Sequence, residues 1–428
     1  MINDSSTPRW SPIGSAAEDG PTQVKLAWGS GPSERYEALA AIFRPTFERI
    51  RATAAERELA HKLPHEEIDW LKAVGFTTLR LPPEHGGFGA SLPELFNLLV
   101  ELSEADSNVT NALRSHFGFT EDVLNSSVPE WRTAWLGRIA NQEMIGSGFS
   151  EVGDAKISSF STRLIRDGDH WLLNGAKYYT TGSLFADWIH LGATDENGEP
   201  VGALVPRTAP GVDVVDDWDG FGQALTASGT ALFSDVILDS HLVKPPGGRF
   251  KYSSGFFQLV HLATLAGVGR AAANDVARLV RERTRIYSHG NAPKVSADPQ
   301  ILQVVGQVRG AAYASGAIVL KASEALQRAH EARLANDADA ENDAVDVAEL
   351  EVDQAVTVVT KLILEATTIL FDALGASASK RGLGLDRYWR NARTISSHNP
   401  RIYRDRVVGD FAVNGTKPPA QYRIGQPG

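Results

Sequence analysis

The chain has 428 residues, of which 43% are hydrophobic and 22% charged, and its formal net charge is −10. That length exceeds what one hydrophobic core fills, so about two or three domains of an ordinary soluble protein are expected, and the acidic balance argues against nucleic acid as a main partner. There is no cysteine, which excludes disulfides, thiolate nucleophiles, Cys-ligated zinc and iron–sulfur clusters.

Residues 1–32 are rich in Pro, Ser and Gly and read as a flexible tail without a basic-then-apolar leader. No uninterrupted apolar run of 18 residues follows, so a cytoplasmic protein without membrane contact is expected. From Ser33, the residues Tyr36, Leu39, Ala40, Phe43, Phe47 and Ile50 fall at helical spacing, with a kink or break expected at Pro45. A second helix opens at Pro64 and stops at Gly75. Ser91 and Glu94 have capping-box spacing ahead of Leu95, Leu98, Leu99 and Leu102, and another helix is expected over about 108–124. These elements form an expected α-helical domain over 33–143.

Near Met144 the pattern changes to short apolar runs, at 171–173, 177–181, 188–191, 201–205, 212–215 and 231–237. Asn-Gly, Asp-Gly and Pro-Gly turns separate them. This predicts a central antiparallel β-sandwich or barrel domain over 144–246. Long helical patterns return over 247–428: about 253–287, a second helix capped by Asp298 with Pro299 at its first position, and a third over about 343–374. The eight carboxylates between Asp337 and Asp353 read as a solvated connection and helix face. The fold class is therefore α+β.

Several motifs fail on context. Gly267-Val268-Gly269-Arg270-Ala271-Ala272 lies inside a helical pattern and follows no strand, so it is no dinucleotide turn. The histidines show no metal-ligand spacing, so no metal is expected. Gly148-Phe149-Ser150-Glu151-Val152 departs from the nucleophile elbow at its last position. Two segments keep chemical interest. Gly146–Asp154 and Asn174–Gly182 offer hydroxyl and backbone groups to a planar heterocycle, with Phe149 and Ser150 in the first and Tyr179 and Thr181 in the second. Asp386–Pro400 is dense in arginine. Arg387, Arg390 and Arg393 share a helix face suited to phosphate or a partner subunit's carboxylates, and His398 stands at a helix end.

In this order, these segments resemble the acyl-CoA dehydrogenase superfamily from about Arg35 to Asn414. Pro83–Gly89 is similar to its Pro-x-x-x-Gly-Gly-x-Gly loop. Asn174–Gly182 is similar to its flavin segment, with Tyr179 in place of the Trp beside the flavin, and Ser150 takes the place of the Thr in its Thr-Glu-Pro motif. On this register His398 and Asn399 replace the Tyr and the catalytic Glu, and Asn399 is no base. The stretch 257–267, where some members carry the base on another helix, offers His261 and no carboxylate.

Residues 216–223, 226–229, Trp389–Thr394 and His398–Pro400 instead resemble the family's flavin-dependent monooxygenase branch. The resemblance implies the acyl-CoA dehydrogenase fold, with a C-terminal four-helix bundle for oligomerisation into a homotetramer. It implies reduced FMN (FAD possible) delivered by a separate flavin reductase, reaction with O2 through a C4a-hydroperoxyflavin, and oxygenation of a small organosulfur, amine or aromatic substrate. It places His398 at the flavin edge as an acid for the peroxide, Thr181 on N5 and Arg285 on the cofactor phosphate. Trp218 and Ser115 would lie near the substrate, and His116 is a further catalytic candidate beside Asn399. This chain has Ile395 where the dibenzothiophene branch has a second His, and Ser115-His116 where it has Tyr-His, so substrate identity does not carry over. Two alternatives remain: an acyl-CoA dehydrogenase with a displaced base, and a non-catalytic flavin- or nucleic-acid-binding member of the fold.

Overall fold

The computed structural model describes residues 28–151, 160–245, 247 and 249–419. Most of the 1–32 tail, Val152–Asp154 of the first candidate segment, and 420–428 lie outside the described residues. The first helices are α1 (Tyr36–Leu59), α2 (His65–Ala73), α3 (Leu92–Ala105), α4 (Ser107–Ala112), α5 (Arg114–Leu124) and α6 (Pro129–Ala140). The break expected at Pro45 does not occur; α1 runs through it. Proline costs that helix one backbone bond, but Phe43 and Phe47 on either side pack edge-on against Phe76, and this burial outweighs the loss. The capping box at Ser91 and Glu94 forms as expected. The single helix expected over 108–124 is two, α4 and α5, meeting at Leu113.

The strands are β1 (Ile145–Gly148), β2 (Arg163–Asp167), β3 (His170–Lys177), β4 (Trp188–Thr194), β5 (Pro200–Pro206), β6 (Val212–Val214) and β7 (Ala231–Asp239). They form one sheet in the order β1-β4-β2-β3-β7-β6, with β5 added on β4. The sheet is mixed rather than purely antiparallel, because β1 and β2 both pair with β4 in parallel. Residues 177–181 are not a strand of their own. β3 ends at Lys177 and the chain turns through Tyr179 at φ 59°.

Three long helices follow: α7 (Ser253–Glu282), α8 (Pro299–Leu334) and α9 (Ala338–Ile369). They pack on one another, and the shorter α10 (Asp386–Ser396) and α11 (Arg404–Asn414) close the outer side of α9. Asp298 caps α8 with Pro299 at its first position, as the sequence implies. α7 is long and apolar enough to cross a bilayer by composition alone, but 89% of its most apolar window is buried inside the protein, as in a core helix. Its Gly267 is a packing glycine: a Cβ there would meet the Val100 carbonyl at 2.5 Å, so the bare backbone lets α3 cross closely.

The acidic stretch is not all solvated. Glu341, Glu349 and Asp353 turn inward. Glu349 accepts the Gly255 N–H at 2.6 Å, and burial pushes its pKa up to about 7. Asp353 pairs with Arg404.

Candidate active site

The two candidate segments of the sheet region come together. The Tyr178 N–H donates to the Ser150 carbonyl at 2.9 Å, and the two residues form an antiparallel bridge. Phe149 and Ser150 therefore lie beside Tyr178–Thr181. A buried ion pair fastens them. Lys177 Nζ is 2.5 Å from Glu151, and Glu151 also accepts from Ser161 and Thr162. Burial alone would raise the Glu151 pKa, but the bonds from Lys177, Thr162 and Ser161 outweigh it and hold the carboxyl at about 2.

Thr181 begins a hydroxyl relay whose direction is fixed by counting protons. Thr226 donates its one hydroxyl proton to the Gln223 carbonyl at 2.8 Å. At its 2.7 Å contact with Ser228 it must then accept, so Ser228 donates. Ser228 in turn accepts from Thr181 at 2.7 Å. With its proton committed, Thr181 offers only an acceptor to anything else it meets. The next residue, Gly182, lies so close to the end of α4 that a Cβ would stand 2.3 Å from the Ala112 carbonyl. This puts the Thr181 turn two residues from Arg114, the first residue of α5.

The opposite wall comes from α5, α7 and the end of α10. His398 follows α10, and its ring lies 4.4 Å from that of His261 on α7. Asn399 contacts the His398 ring at 3.3 Å and donates to Gln258 at 3.0 Å. Behind them is a cavity of about 10 Å³, room for about one water, lined by Gln258, His261, Ser396 and Asn399. His261 is buried, and its Nδ1 has no hydrogen-bond partner. Burial, with the charge of Arg114, drives its pKa well below the ordinary histidine value. His398 is exposed on one side and crowded on the others, and this desolvation, again with Arg114, also lowers its pKa. Its open side admits water, and the ring is a neutral imidazole at neutral pH.

Two arginines connect the walls. Arg249 lies over the Phe149 ring at 4.3 Å and over the Phe257 ring at 4.8 Å. Arg114 lies over the same Phe257 ring at 4.7 Å and donates to the Phe257 carbonyl at 3.1 Å. Burial and then the nearby Arg249 charge bring the Arg114 pKa down to about 9, so both guanidiniums remain charged at neutral pH. Phe257 reaches this position because α5 has glycine at 118, where a Cβ would stand 2.2 Å from its ring.

Other expected site residues are placed differently. His116 is buried between backbone groups: Nε2 donates to the Thr77 carbonyl at 2.8 Å, and Nδ1 accepts from the Ile145 N–H at 3.4 Å. Burial lowers its pKa to about 4. Both nitrogens are occupied, so the catalytic role expected of His116 gives way to bracing α5 against β1. Ser115 beside it is half-buried on α5. Tyr179 and Trp218 lie together, ring centroids 5.8 Å apart, with Tyr179 51% exposed. Arg285 is not on a helix, because α7 stops at Glu282 and leaves it in an exposed loop.

The arginine face of α10 is mostly spent within the chain. Arg387 bonds Tyr388 and Asp275, and Arg390 bonds Glu58, Asp386 and the Phe221 carbonyl. Arg393 alone has no ion pair among the described residues. Asn391 between them accepts the Gln223 N–H at 2.6 Å and donates to Glu58 at 2.8 Å. The sequence reading missed Arg114 and Arg249. Arg114 carried one signal: it is a lone cation in an apolar helical stretch with no carboxylate three or four residues away.

Comparison with known proteins fits this arrangement. Residues 33–143 match the family Acyl-CoA dehydrogenase, N-terminal domain, and residues 259–400 match Acyl-CoA dehydrogenase, C-terminal domain, together more than half of the chain. The chain belongs to the acyl-CoA dehydrogenase family. Among its relatives is dibenzothiophene monooxygenase of Mycolicibacterium goodii, 25% identical over 393 residues, covering 88% of this chain and 94% of the relative. Another is the probable FMNH2-dependent monooxygenase SfnC of Pseudomonas putida, 26% identical over 387 residues, with 88% and 95% covered. The structure of FMN-bound TdsC from Paenibacillus sp. A11-2 superposes with a TM-score of 0.81 at 26% identity, over 89% of this chain and 98% of that one.

Proposed function

We propose that the chain is a flavin-dependent monooxygenase that uses reduced FMN and O2 to oxygenate a small molecule. The observation that carries this reading is the wall of two neutral imidazoles and one amide opposite the Thr181 edge. On the family register Asn399 takes the place of the carboxylate that removes an α-proton in a dehydrogenase, and His398 and His261 stand beside it. A low-pKa histidine pair is a poor base for that task.

The residues present fit a flavin. Phe149, Ser150 and the Tyr178–Thr181 turn form a joined edge with aromatic and hydroxyl groups, and a buried nitrogen, His261 Nδ1, lacks a partner across the cleft. Reduced flavin, when bound, would supply the two electrons that activate dioxygen, of which one atom goes to the substrate and the other leaves as water. Thr181, an acceptor by the direction of its relay, suits the N–H that a reduced flavin ring carries and an oxidised one lacks. Neutral His398 can donate a ring N–H hydrogen bond to an oxygen at the flavin edge, and the open side of its ring admits the water that supplies protons there. Phe149 and Phe257 give the rest of the cleft apolar rings.

A separate reductase that delivers the flavin by diffusion, a homotetramer and a cytoplasmic setting belong to the same reading. Arg285, charged and exposed past α7, is free to meet a phosphate or a second subunit. The test is anaerobic titration with reduced FMN followed by rapid mixing with oxygen. The expected result is tight binding of reduced FMN and its oxygen-dependent oxidation. Bleaching of bound oxidised flavin by an acyl-CoA without oxygen would defeat the reading and favour a dehydrogenase.

A further inference from the structure

Arg114 and Arg249 are two like charges gathered about one Phe257 ring. Neither makes an ion pair among the described residues. Arg114 has only the Phe257 carbonyl as a hydrogen-bond partner, and the carboxylate that acts on Arg249, Asp122, is held by Lys244 at 3.0 Å. Gathering two like charges on one ring without a counter-charge costs stability, and a fold retains such a pair most readily where an anion completes it. Each guanidinium presents a planar fork of donors suited to a two-oxygen acceptor. Neither has a buried donor left unbonded, so the remaining N–H groups face solvent and are open to a ligand. The pair stands between Phe149 on the flavin edge and the His261–His398 pair, where a substrate has to lie.

We propose that Arg114 and Arg249 are specificity residues that bind an anionic group of the substrate, a carboxylate or another oxyanion, so that the molecule oxygenated is a small organic acid. Phe257 and Phe149 flank the apolar remainder of that acid. The unpartnered Nδ1 of buried His261 gives the acid a further polar contact. The proposal rests on the monooxygenase reading for its chemistry but not for its binding.

The test uses the full chain without flavin and two probes of nearly the same shape, benzenesulfonate and neutral benzenesulfonamide, followed by tryptophan fluorescence. Wild type is expected to bind the sulfonate at least about tenfold more tightly than the sulfonamide, and added salt should erode that preference. Arg114→Gln and Arg249→Gln are each expected to lose most of it while keeping the thermal midpoint. Arg249→Lys, which keeps the charge, should retain part and serves if a glutamine variant fails to fold. Equal binding of the two probes by wild type, or a preference that survives both glutamine variants, overturns the proposal. A second arm compares FMN with riboflavin. If the variants lose the preference for FMN and not the preference for sulfonate, the arginines serve the flavin phosphate and the proposal is wrong. A wild type that selects the sulfonate yet fails to bind reduced FMN would defeat the monooxygenase reading and leave the anion site standing.

Discussion

His398 lies against His261 with ring centroids 4.4 Å apart and planes tilted by 56°, and the charge of Arg114 disfavours protonation of either ring. His398→Ala should therefore cut product formation by about a hundredfold, the usual range for losing one positioned hydrogen-bond donor at a reacting oxygen. Oxidation of reduced FMN should continue, with its oxygen released as hydrogen peroxide. Since the His398 pKa is lowered, its neutral form persists across pH 6 to 8 and contributes no fall in rate there. Product and peroxide measured together across that range check both points. A variant with wild-type product yield would remove His398 from the chemistry.

Neutral buried histidines also make acid the weak side of this fold. His116, His190 and His261 all have pKa values lowered first by burial, His116 to about 4. In the unfolded chain each titrates near ~6.5, so the unfolded state takes up protons that the folded state refuses. Stability is thus fully present above that value and falls as pH drops toward the folded values, by up to about 3 kcal/mol for His116 alone. Urea unfolding midpoints at pH 7.5, 6 and 5 should decline steadily. A flat midpoint over that range would contradict the assignment.

Glu151→Gln removes the one carboxylate that, among the described residues, pairs with the buried Lys177 ammonium. Leaving one partner of such a pair uncompensated costs about 3–5 kcal/mol. The Phe149–Ser150 edge should loosen with it, weakening FMN binding. Changing both residues, Glu151→Leu with Lys177→Met, should recover most of the stability. Chemical denaturation of the two single variants and the double variant tests this, and additive losses would show that the pair is not coupled. The native pair should itself weaken on acidification from the ordinary carboxylate range, about 4.5, toward about 2, as Glu151 takes up its proton.

Ser228→Ala breaks the hydroxyl relay behind Thr181. The Thr181 proton is then free to point outward, and the residue no longer presents only an acceptor. The expected result is a fall of about five- to tenfold in the preference for reduced over oxidised FMN, the worth of about one hydrogen bond. Anaerobic titration with both forms measures it. An unchanged ratio would mean that the relay does not read the flavin's redox state.

Much of the fold is legible in the sequence where a local rule decides the outcome. The capping box at Ser91 and the Asp298-Pro299 start are such places, and both form as read. β1 was not legible, because Ile145-Gly146-Ser147-Gly148 has little strand propensity and becomes a strand only by pairing with the wholly buried β4. Pro45 misleads for the converse reason: tertiary packing of Phe43 and Phe47 overrides a local breaker. In the site, Thr181 and His398 could be singled out from motif order. The pairing of Arg114 with Arg249 could not, since they are far apart in sequence and meet only through Phe257. His116 shows the limit most plainly. A histidine on an apolar helix looks the same in sequence whether its nitrogens face a substrate or the backbone of Thr77 and Ile145.

Asn391 has a consequence for the molecule as a whole. Its side chain holds Gln223 of the sheet region with one end and Glu58 of α1 with the other, and it stands on α10 itself. One amide therefore belongs to three stretches of chain, the nearest two of them separated by more than about 160 residues. No cut between Glu58 and Asn391 leaves all of its partners together, so no fragment that ends within that span should be self-sufficient. The cleft is the seam where these stretches meet, and it exists only while all of them are assembled.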